Sequence, residues 1–396
     1  MNSDIVRTIT LGLADRHPLD ASVVEQAKWT LDQARNSLEM AGFTVQTIRL
    51  STRPVLHDLR DWHNEARSRY LRDFHDVVRD AGLEFCSLGI AGATSSCEDI
   101  AWLGDALVQH PAFSGSVQLA TRNHGVDFDR CVAVAEVVRR LSQESEEGFG
   151  NFRFAGVAMM SHGCPFFPAA SHGVGPTGLT VGLQSASAVV AALSSGCSIA
   201  EVPELVRRTL IAHAGPVVTA LAKFGADHGV GFDGIDLSPA PLGHDSLAAA
   251  FEAFGLEFFG SAGTLSLAAA LTEGIQTTGL PTRGYNGLML AVLEDSILGQ
   301  RWAQRLVDID KLLYYSAVCG TGLDALPLAG DVSVGSLARV LSDIGTLAVR
   351  LAKPLSGRLM PVPGKRDGEM TTFRSPYVTN TVIHGLAAPP TLIGDA

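Results

Sequence analysis

Arg7-Thr8-Ile9-Thr10-Leu11-Gly12-Leu13 reads as a short β-strand, rich in β-branched residues. The residues beyond it decide the fold class. After Pro18, Asp20 is placed to cap a helix whose apolar stripe is Val23, Val24, Ala27, Leu31, Ala34 and Leu38, and Gly42 stops it. Residues 43–50 then return to strand. The rhythm continues with a helix over 59–81 ended by Gly82, a strand over 83–89, a helix over 98–110, a strand over 116–121, a helix over 130–141 and a strand over 152–160. Repeated strand–helix units place helices on the faces of a largely parallel sheet, so the class is α/β.

The second half keeps the alternation less clearly. Ala- and Ser-rich helices are expected near 184–195 and 199–227, then a short strand leading into Asp236, a helix over 332–347 and two strand-like runs around Lys353 and Arg358. Their small residues predict close packing against a sheet or against one another. No low-complexity linker divides the chain, which predicts one domain over 1–396, with the acidic stretch 142–150 as a surface excursion and 387–396 as a frayed tail. Periodicity does not report closure, and an open doubly wound sheet fits the pattern as well as a closed barrel.

The bulk numbers narrow the function classes. The 396 residues are 46% hydrophobic and 18% charged, with a net charge of −11, a composition that can bury a sizeable core. Mean hydropathy is +0.20, yet no apolar run reaches the roughly 18–20 residues of a membrane span. The opening Met1-Asn2-Ser3-Asp4 has no basic stretch before an apolar core, which predicts a cytoplasmic protein. The six cysteines form no CxxC pair and are expected as thiols. With no Lys/Arg run longer than a pair, nucleic acid is not an expected partner. The apolar, Ala-rich second half points to a homo-oligomer.

Five segments carry residues able to do chemistry. The first, 161–175, places His162, Cys164 and His172 in a loop after an expected strand, where a transition metal or a thiolate–imidazole pair would sit; the competing reading is that both histidines bond loop backbone while Cys164 packs. In the second, Asp236 ends a strand two residues before Ser238 and suits a base or ligand, whereas Asp245 and Ser246 suit a helix cap. The third ends in Glu294-Asp295, adjacent carboxylates that fit either a hard cation or the start of a solvated helix. In the fourth, Cys319 precedes Gly320 and Gly322 on an expected sharp turn, where backbone N–H groups can lower a thiol pKa; a small buried core cysteine is the alternative. In the fifth, Lys353 and Arg358 stand near glycines in a chain with five lysines and suggest an anion clamp, against the alternative of a solvated strand edge. Gly173, Gly175 and Gly178 match GxGxxG but lie far from a tight strand-to-helix turn. Walker, GxSxG and HExxH spacings do not occur, so no nucleotide cofactor is expected.

Arg7-Thr-Ile-Thr-x-Gly, Ser171-His-Gly-Val-Gly, Asp236-Leu-Ser-x-Ala-Pro, Asp245-Ser, Gly260-x-x-Gly263-Thr264, Glu294-Asp295, Cys319-x-x-Gly322-Leu-Asp324 and the run from Lys353 through Arg358 to Lys365, in that order, resemble the family called domain of unknown function 711, or uncharacterised protein family 0210. The resemblance covers nearly the whole chain. It implies a pyruvate formate-lyase-like fold, a ten-stranded α/β barrel of two half-barrels with its site inside, around a cysteine-bearing loop for which Cys319 is the natural candidate. The C-terminal glycyl-radical run of such enzymes is missing here, so a glycyl-radical mechanism is not implied, and a shared fold does not transfer function. Two departures stand out: His162-Gly163-Cys164 where relatives tend to carry Glu-Asp-Asn, and His244 where a glycine is usual. If relatives hold a hard cation in that loop, the change implies a softer metal or thiol–imidazole chemistry.

The resulting expectation is an enzyme acting on a small polar, carboxylate-bearing metabolite by lyase, isomerase or acyl-transfer-type chemistry. Cys319 would act as nucleophile or thiol acid/base, His172 and Asp236 as bases or ligands, and Lys353, Arg358, Ser238 and Arg122 would bind substrate. The alternatives are a metal-dependent lyase or oxygenase using His162, Cys164, Glu294 and Asp295, with the divalent metal left open, and a metabolite-binding regulator.

Overall fold

The computed structural model describes residues 5–386, so the expected tail at 387–396 lies outside the described residues. Ten strands are present among them: β1 (Ile5–Gly12), β2 (Thr44–Ser51), β3 (Cys86–Ala91), β4 (Phe113–Thr121), β5 (Gly125–Val126), β6 (Phe154–Ala158), β7 (Gly178–Gln184), β8 (Gly231–Asp236), β9 (Gly322–Ala329) and β10 (Leu355–Val362). The helices are α1 (Ala21–Met40), α2 (Val55–Asp58), α3 (Asn64–Asp80), α4 (Cys97–Gln109), α5 (Phe128–Glu144), α6 (Ala186–Leu193), α7 (Val202–His228), α8 (Leu247–Phe254), α9 (Thr264–Gln276), α10 (Ser296–Ala303), α11 (Ile309–Ser316) and α12 (Val334–Leu351). No helix among the described residues is long and apolar enough to cross a membrane.

The protein is mixed α/β with one ten-stranded, mostly parallel sheet, ordered β8-β7-β1-β2-β3-β4-β6-β10-β9, with β5 paired off this path to β4. Strands β1, β2, β3, β4 and β6 run parallel to one another. The sheet reverses at β7 on one side and at β10 on the other, and each reversal adds a parallel pair, β7 with β8 and β10 with β9. A non-helical segment, 281–293, touches both terminal strands. Arg283 N–H donates to Ile235 O at 2.8 Å, and Val292 and Leu293 N–H donate to Asp324 O and Ala325 O, each at 3.2 Å. Both contacts are parallel bridges.

The two faces of the sheet differ in chemistry. Ile9, Leu11, Ile48, Leu50, Val117 and Leu119 belong to the large core that includes Leu31 of α1, Leu103 of α4 and Leu341 of α12. At alternate positions the other face carries Thr8, Thr10, Thr47, Arg49, Ser51, Ser114, Ser116 and Gln118, all buried. A β-strand shows polar residues to water or to a polar interior, and burial selects the second here. Loops fill part of that interior: Cys164, Phe166 and Ala169 cluster with Ala240, Tyr285 and Met289. Gly182 makes room for this, because a Cβ there would run into the Phe166 ring.

Differences from the expected elements have local causes. Strand β7 occupies part of the stretch read as GxGxxG and helix. The expected excursion at 142–150 is tied down, since Ser142 Oγ donates to Pro361 O at 2.8 Å and Gly148 lies against the same carbonyl with no room for a side chain. The two strand-like runs near 353 and 358 are the single strand β10, and Asp20 stands at the α1 N-cap position without a side-chain cap bond.

Buried histidines make stability acid-sensitive. His17 accepts or donates at both ring nitrogens, to Tyr70 Oη at 2.7 Å and Thr52 Oγ1 at 2.9 Å, and burial pushes its pKa down to about 4. The folded pKa is below the unfolded one, so the contribution is full above pH 6.5 and is lost as pH falls towards 4. In His17→Gln, the loss of unfolding free energy between pH 7 and about pH 4 should be smaller by about 2–3 kcal/mol than in the wild type. Urea titrations at both pH values test this, and equal losses would refute it.

Candidate functional site

Four arginines, Arg7, Arg49, Arg153 and Arg358, and two carboxylates, Glu294 and Asp324, line a cavity of about 50 Å³ on the polar face, walled by Phe85, Phe152, Phe166, Phe167 and Tyr377. Glu294 bridges two of the cations: Arg7 Nη2 donates to its Oε2 at 3.1 Å and Arg358 Nη2 to its Oε1 at 2.5 Å. Arg358 also donates through Nε to Asp324 Oδ1 at 2.6 Å, with its guanidinium 4.6 Å from the Phe152 ring centre. A bulge explains how Arg7 reaches this face. The β1–β7 register shifts between Val6 and Thr8, which re-aims the residue between them.

Arg49 is different. Alternation on β2 puts it on the same face, where it is 8% exposed. Its Nε donates to Thr47 Oγ1 at 3.2 Å, and its guanidinium lies 5.2 Å from the Phe85 ring centre and 4.9 Å from that of Phe167. No carboxylate pairs with it among the described residues. Burial, reinforced by Arg7, pushes its pKa down to about 10, so at neutral pH it is a buried cation held by aromatic faces. Arg153 at the same cavity donates to Phe113 O at 2.6 Å and Leu107 O at 2.9 Å rather than to a carboxylate, so the lining carries two positive charges in excess.

A second group surrounds Asp236. Its Oδ1 accepts from Ser238 N–H at 2.9 Å, Ser238 Oγ–H at 2.6 Å and Asn286 N–H at 3.1 Å, and its Oδ2 accepts from Tyr285 N–H at 2.7 Å. Gly287 N–H donates to Ser238 Oγ at 3.1 Å, which sends the Ser238 proton towards Asp236. Burial raises the Asp236 pKa, and the four donated bonds pull it back. Gly287 packs backbone to backbone on Gly320, beside Cys319, and Lys353 Nζ donates to Ala317 O at 3.2 Å and to Cys319 O. Asp236, Ser238, Cys319 and Lys353 are thus joined through backbone contacts. Burial pushes the Cys319 thiol up to about 11 although Lys353 pulls the other way.

The remaining expected residues stand elsewhere. Glu294 and Asp295 serve different partners, because Asp295 accepts from Leu298 N–H at 2.9 Å as the α10 cap and from Ser246 Oγ–H and Ala248 N–H. Cys164 is buried in the interior cluster, and burial, with Asp236 nearby, raises its pKa well above the usual thiol range. His162 and His172 are at the opposite end, where His162 Nδ1 meets Ser171 Oγ at 3.0 Å and the buried His172 Nε2 has no partner. Burial lowers the pKa of both. Arg122 is exposed in the turn after β4. Among the described residues no three His, Cys, Asp or Glu side chains gather at ligating distance.

Arg7, Arg49 and Asp324 are site residues that sequence reasoning misses. For Arg49 the available signal is a cation at an alternate position of a strand, which reads as a solvent face until that face is known to be buried.

Sequence comparison agrees with the motifs. A UPF0210 protein of Pyrobaculum aerophilum is 30% identical over 351 residues, covering 83% of this chain and 76% of that protein. Those of Methanosarcina acetivorans and Clostridium perfringens are 25% and 24% identical, each across 93% of this chain and covering 85% and 88% of the relatives. The family model described as Uncharacterised ACR (DUF711) matches residues 2–376, and the chain belongs to that family.

Proposed function

We propose that the protein is an enzyme that binds a small carboxylate-bearing metabolite inside a closed α/β barrel of two half-barrels, in the pyruvate formate-lyase-like arrangement. Closure is supported by segment 281–293, whose bridges to β8 and β9 would supply the missing tenth member of a ring. One half would be β1, β2, β3, β4 and β6, and the other β7, β8, segment 281–293, β9 and β10.

The observation that carries the substrate class is Arg49, a buried cation with no carboxylate partner, lining a small, partly open cavity. An unpaired buried charge is costly, and a bound carboxylate would offset it through two parallel N–H···O bonds. Arg7 and Arg358 are already paired and would frame the site. About 50 Å³ is room for several waters or a small carboxylate such as formate or acetate. The chemistry would be proton transfer of the lyase or isomerase type. Burial keeps Cys164, Cys319 and Tyr285 protonated at neutral pH, which suits proton donors better than thiolate nucleophiles. The same protonated thiols favour a second reading, a metabolite-binding regulator without turnover.

Calorimetric titration with formate, acetate and pyruvate tests the substrate class. At least one should bind saturably to the wild type, and Arg49→Met should weaken it by about tenfold or more, with no loss of melting temperature because no carboxylate is left unpaired. Equal affinity in wild type and Arg49→Met would refute the assignment.

A further inference from the structure

At the carboxyl ends of β2, β3, β4 and β6, away from the arginine cavity, lies a groove of about 730 Å³. Its size falls in the range of small-molecule sites, and carboxyl ends of parallel strands are where α/β folds place ligands. The groove is built rather than incidental. Arg130 reaches beneath the loop that joins β3 to α4 and ties down its carbonyls, donating to Gly92 O at 2.8 Å, Ala91 O at 3.3 Å and Ser95 O at 2.5 Å. Its Nε donates to Gln118 O at 2.9 Å, fixing the same strand end.

Gln118 is the group without an internal explanation. It is 9% exposed and lines the groove, yet its Oε1 is buried with no hydrogen-bond partner, and its side chain makes no hydrogen bond among the described residues. Buried carboxamides in native proteins are satisfied by protein, by water or by a ligand. Ser116 and Ser114, two and four residues back on the same face, are buried and unpartnered as well, so the orphaned polarity continues inward from the groove. Two apolar side chains, Ile90 and Met160, also line the groove, beside Arg53, His57, Arg60, Asp99 and His162, and belong to the interior cluster. Beyond Gln118 and Thr121 the groove continues into a cleft of about 460 Å³.

A carboxamide offers one acceptor and two donors in a plane. Its complement is a ligand edge with an N–H beside a C=O, and the two apolar side chains suit a flat ring bearing that edge. We propose that this groove binds a planar amide or lactam, with Gln118 pairing to its N–H/C=O edge and Ile90 and Met160 packing on its faces. The groove shares no lining residue with the arginine cavity.

Ligand-observed NMR titration of the full chain with nicotinamide, an exocyclic amide, and with uracil, a ring lactam, tests this and separates the two sources of the edge. At least one should bind saturably below about 10 mM, and Gln118→Leu should weaken it about tenfold or more while leaving acetate binding at Arg49 unchanged. Because Leu removes an unpartnered buried acceptor, the melting temperature should not fall. Gln118→Glu, of the same shape but without the N–H donors, should also lose binding and serves if the Leu variant does not fold. No saturable binding of either probe to the wild type, or undiminished binding by both variants, would overturn the proposal.

Discussion

Arg358→Met should destabilise the protein by about 3–5 kcal/mol, one of the two largest effects expected of a single substitution. Arg358 is 5% exposed and its guanidinium serves Glu294, Asp324 and the Phe152 ring together. The two carboxylates raise its pKa further despite burial, so it never deprotonates to relieve the cost. Methionine fills much of the same volume, which keeps the cavity term small. What remains is electrostatic: Asp324 loses its basic partner, and Glu294 keeps only Arg7. Removing one member of a buried ion cluster leaves an uncompensated charge, and that penalty exceeds the value of the pair itself. Arg358→Lys keeps the charge but cannot fork to two carboxylates, and should fall between the two. Urea unfolding with an unchanged m-value measures the loss. A shift below about 1 kcal/mol for Arg358→Met would mean that Glu294 and Asp324 are solvated in the folded state, and the enclosed cluster would be refuted.

How much of the fold is legible in the sequence depends on which face of each strand is read. The first half is accessible because its helices carry one apolar stripe each and its strands sit between Gly stops, as at Gly42 and Gly82, both with left-handed φ. Strand β7 is hidden. Leu179, Val181 and Leu183 alternate with Thr180 and Gly182, but the glycines around them match a loop motif, and only the Phe166 ring seated over Gly182 explains that glycine. Segment 281–293 is hidden for a different reason: its contacts are single bridges to strands distant in sequence, and no local pattern announces them.

The site obeys the same logic. Arg358 and Glu294 can be singled out from glycine and carboxylate context, and they meet in space. Arg49 cannot, because its environment is made by Phe85 and Phe167, which lie 36 and 118 residues further on. A lone cation in Thr47-Ile48-Arg49-Leu50 is as consistent with water as with a buried pocket. The burial of the polar face of the sheet, not the residue type, makes the difference.

Asp236→Ala should cost about 4–5 kcal/mol, and Asp236→Asn, although nearly isosteric, about 2–3 kcal/mol. The carboxylate receives four bonds and gives none, from Ser238 N–H and Oγ–H, Tyr285 N–H and Asn286 N–H. Alanine orphans three buried or half-buried backbone N–H groups, at roughly 1–3 kcal/mol each. Asparagine keeps one acceptor but must point its NH₂ at either Tyr285 N–H or the Ser238 and Asn286 donors, setting donor against donor. Both substitutions remove the buried charge and recover its desolvation, so the Asn cost stays below the Ala cost because asparagine keeps one acceptor and fills the site. The backbone at Asn286 makes the carboxylate hard to replace. Asn286 holds φ 52°, in the left-handed region, and Gly284 beside it has φ 84° and no room for a Cβ next to Asp236 Oδ2. The carboxylate thus holds a strained turn that carries Tyr285 and Met289 into the interior and leads into the bridge to β9. Losing it should therefore weaken the carboxylate binding proposed at Arg49 as well as stability, since Met289 lines that cavity. Urea unfolding and acetate titration of both variants check the two effects together. Wild-type acetate affinity in a folded Asp236→Ala protein would show that the turn and the cavity are uncoupled.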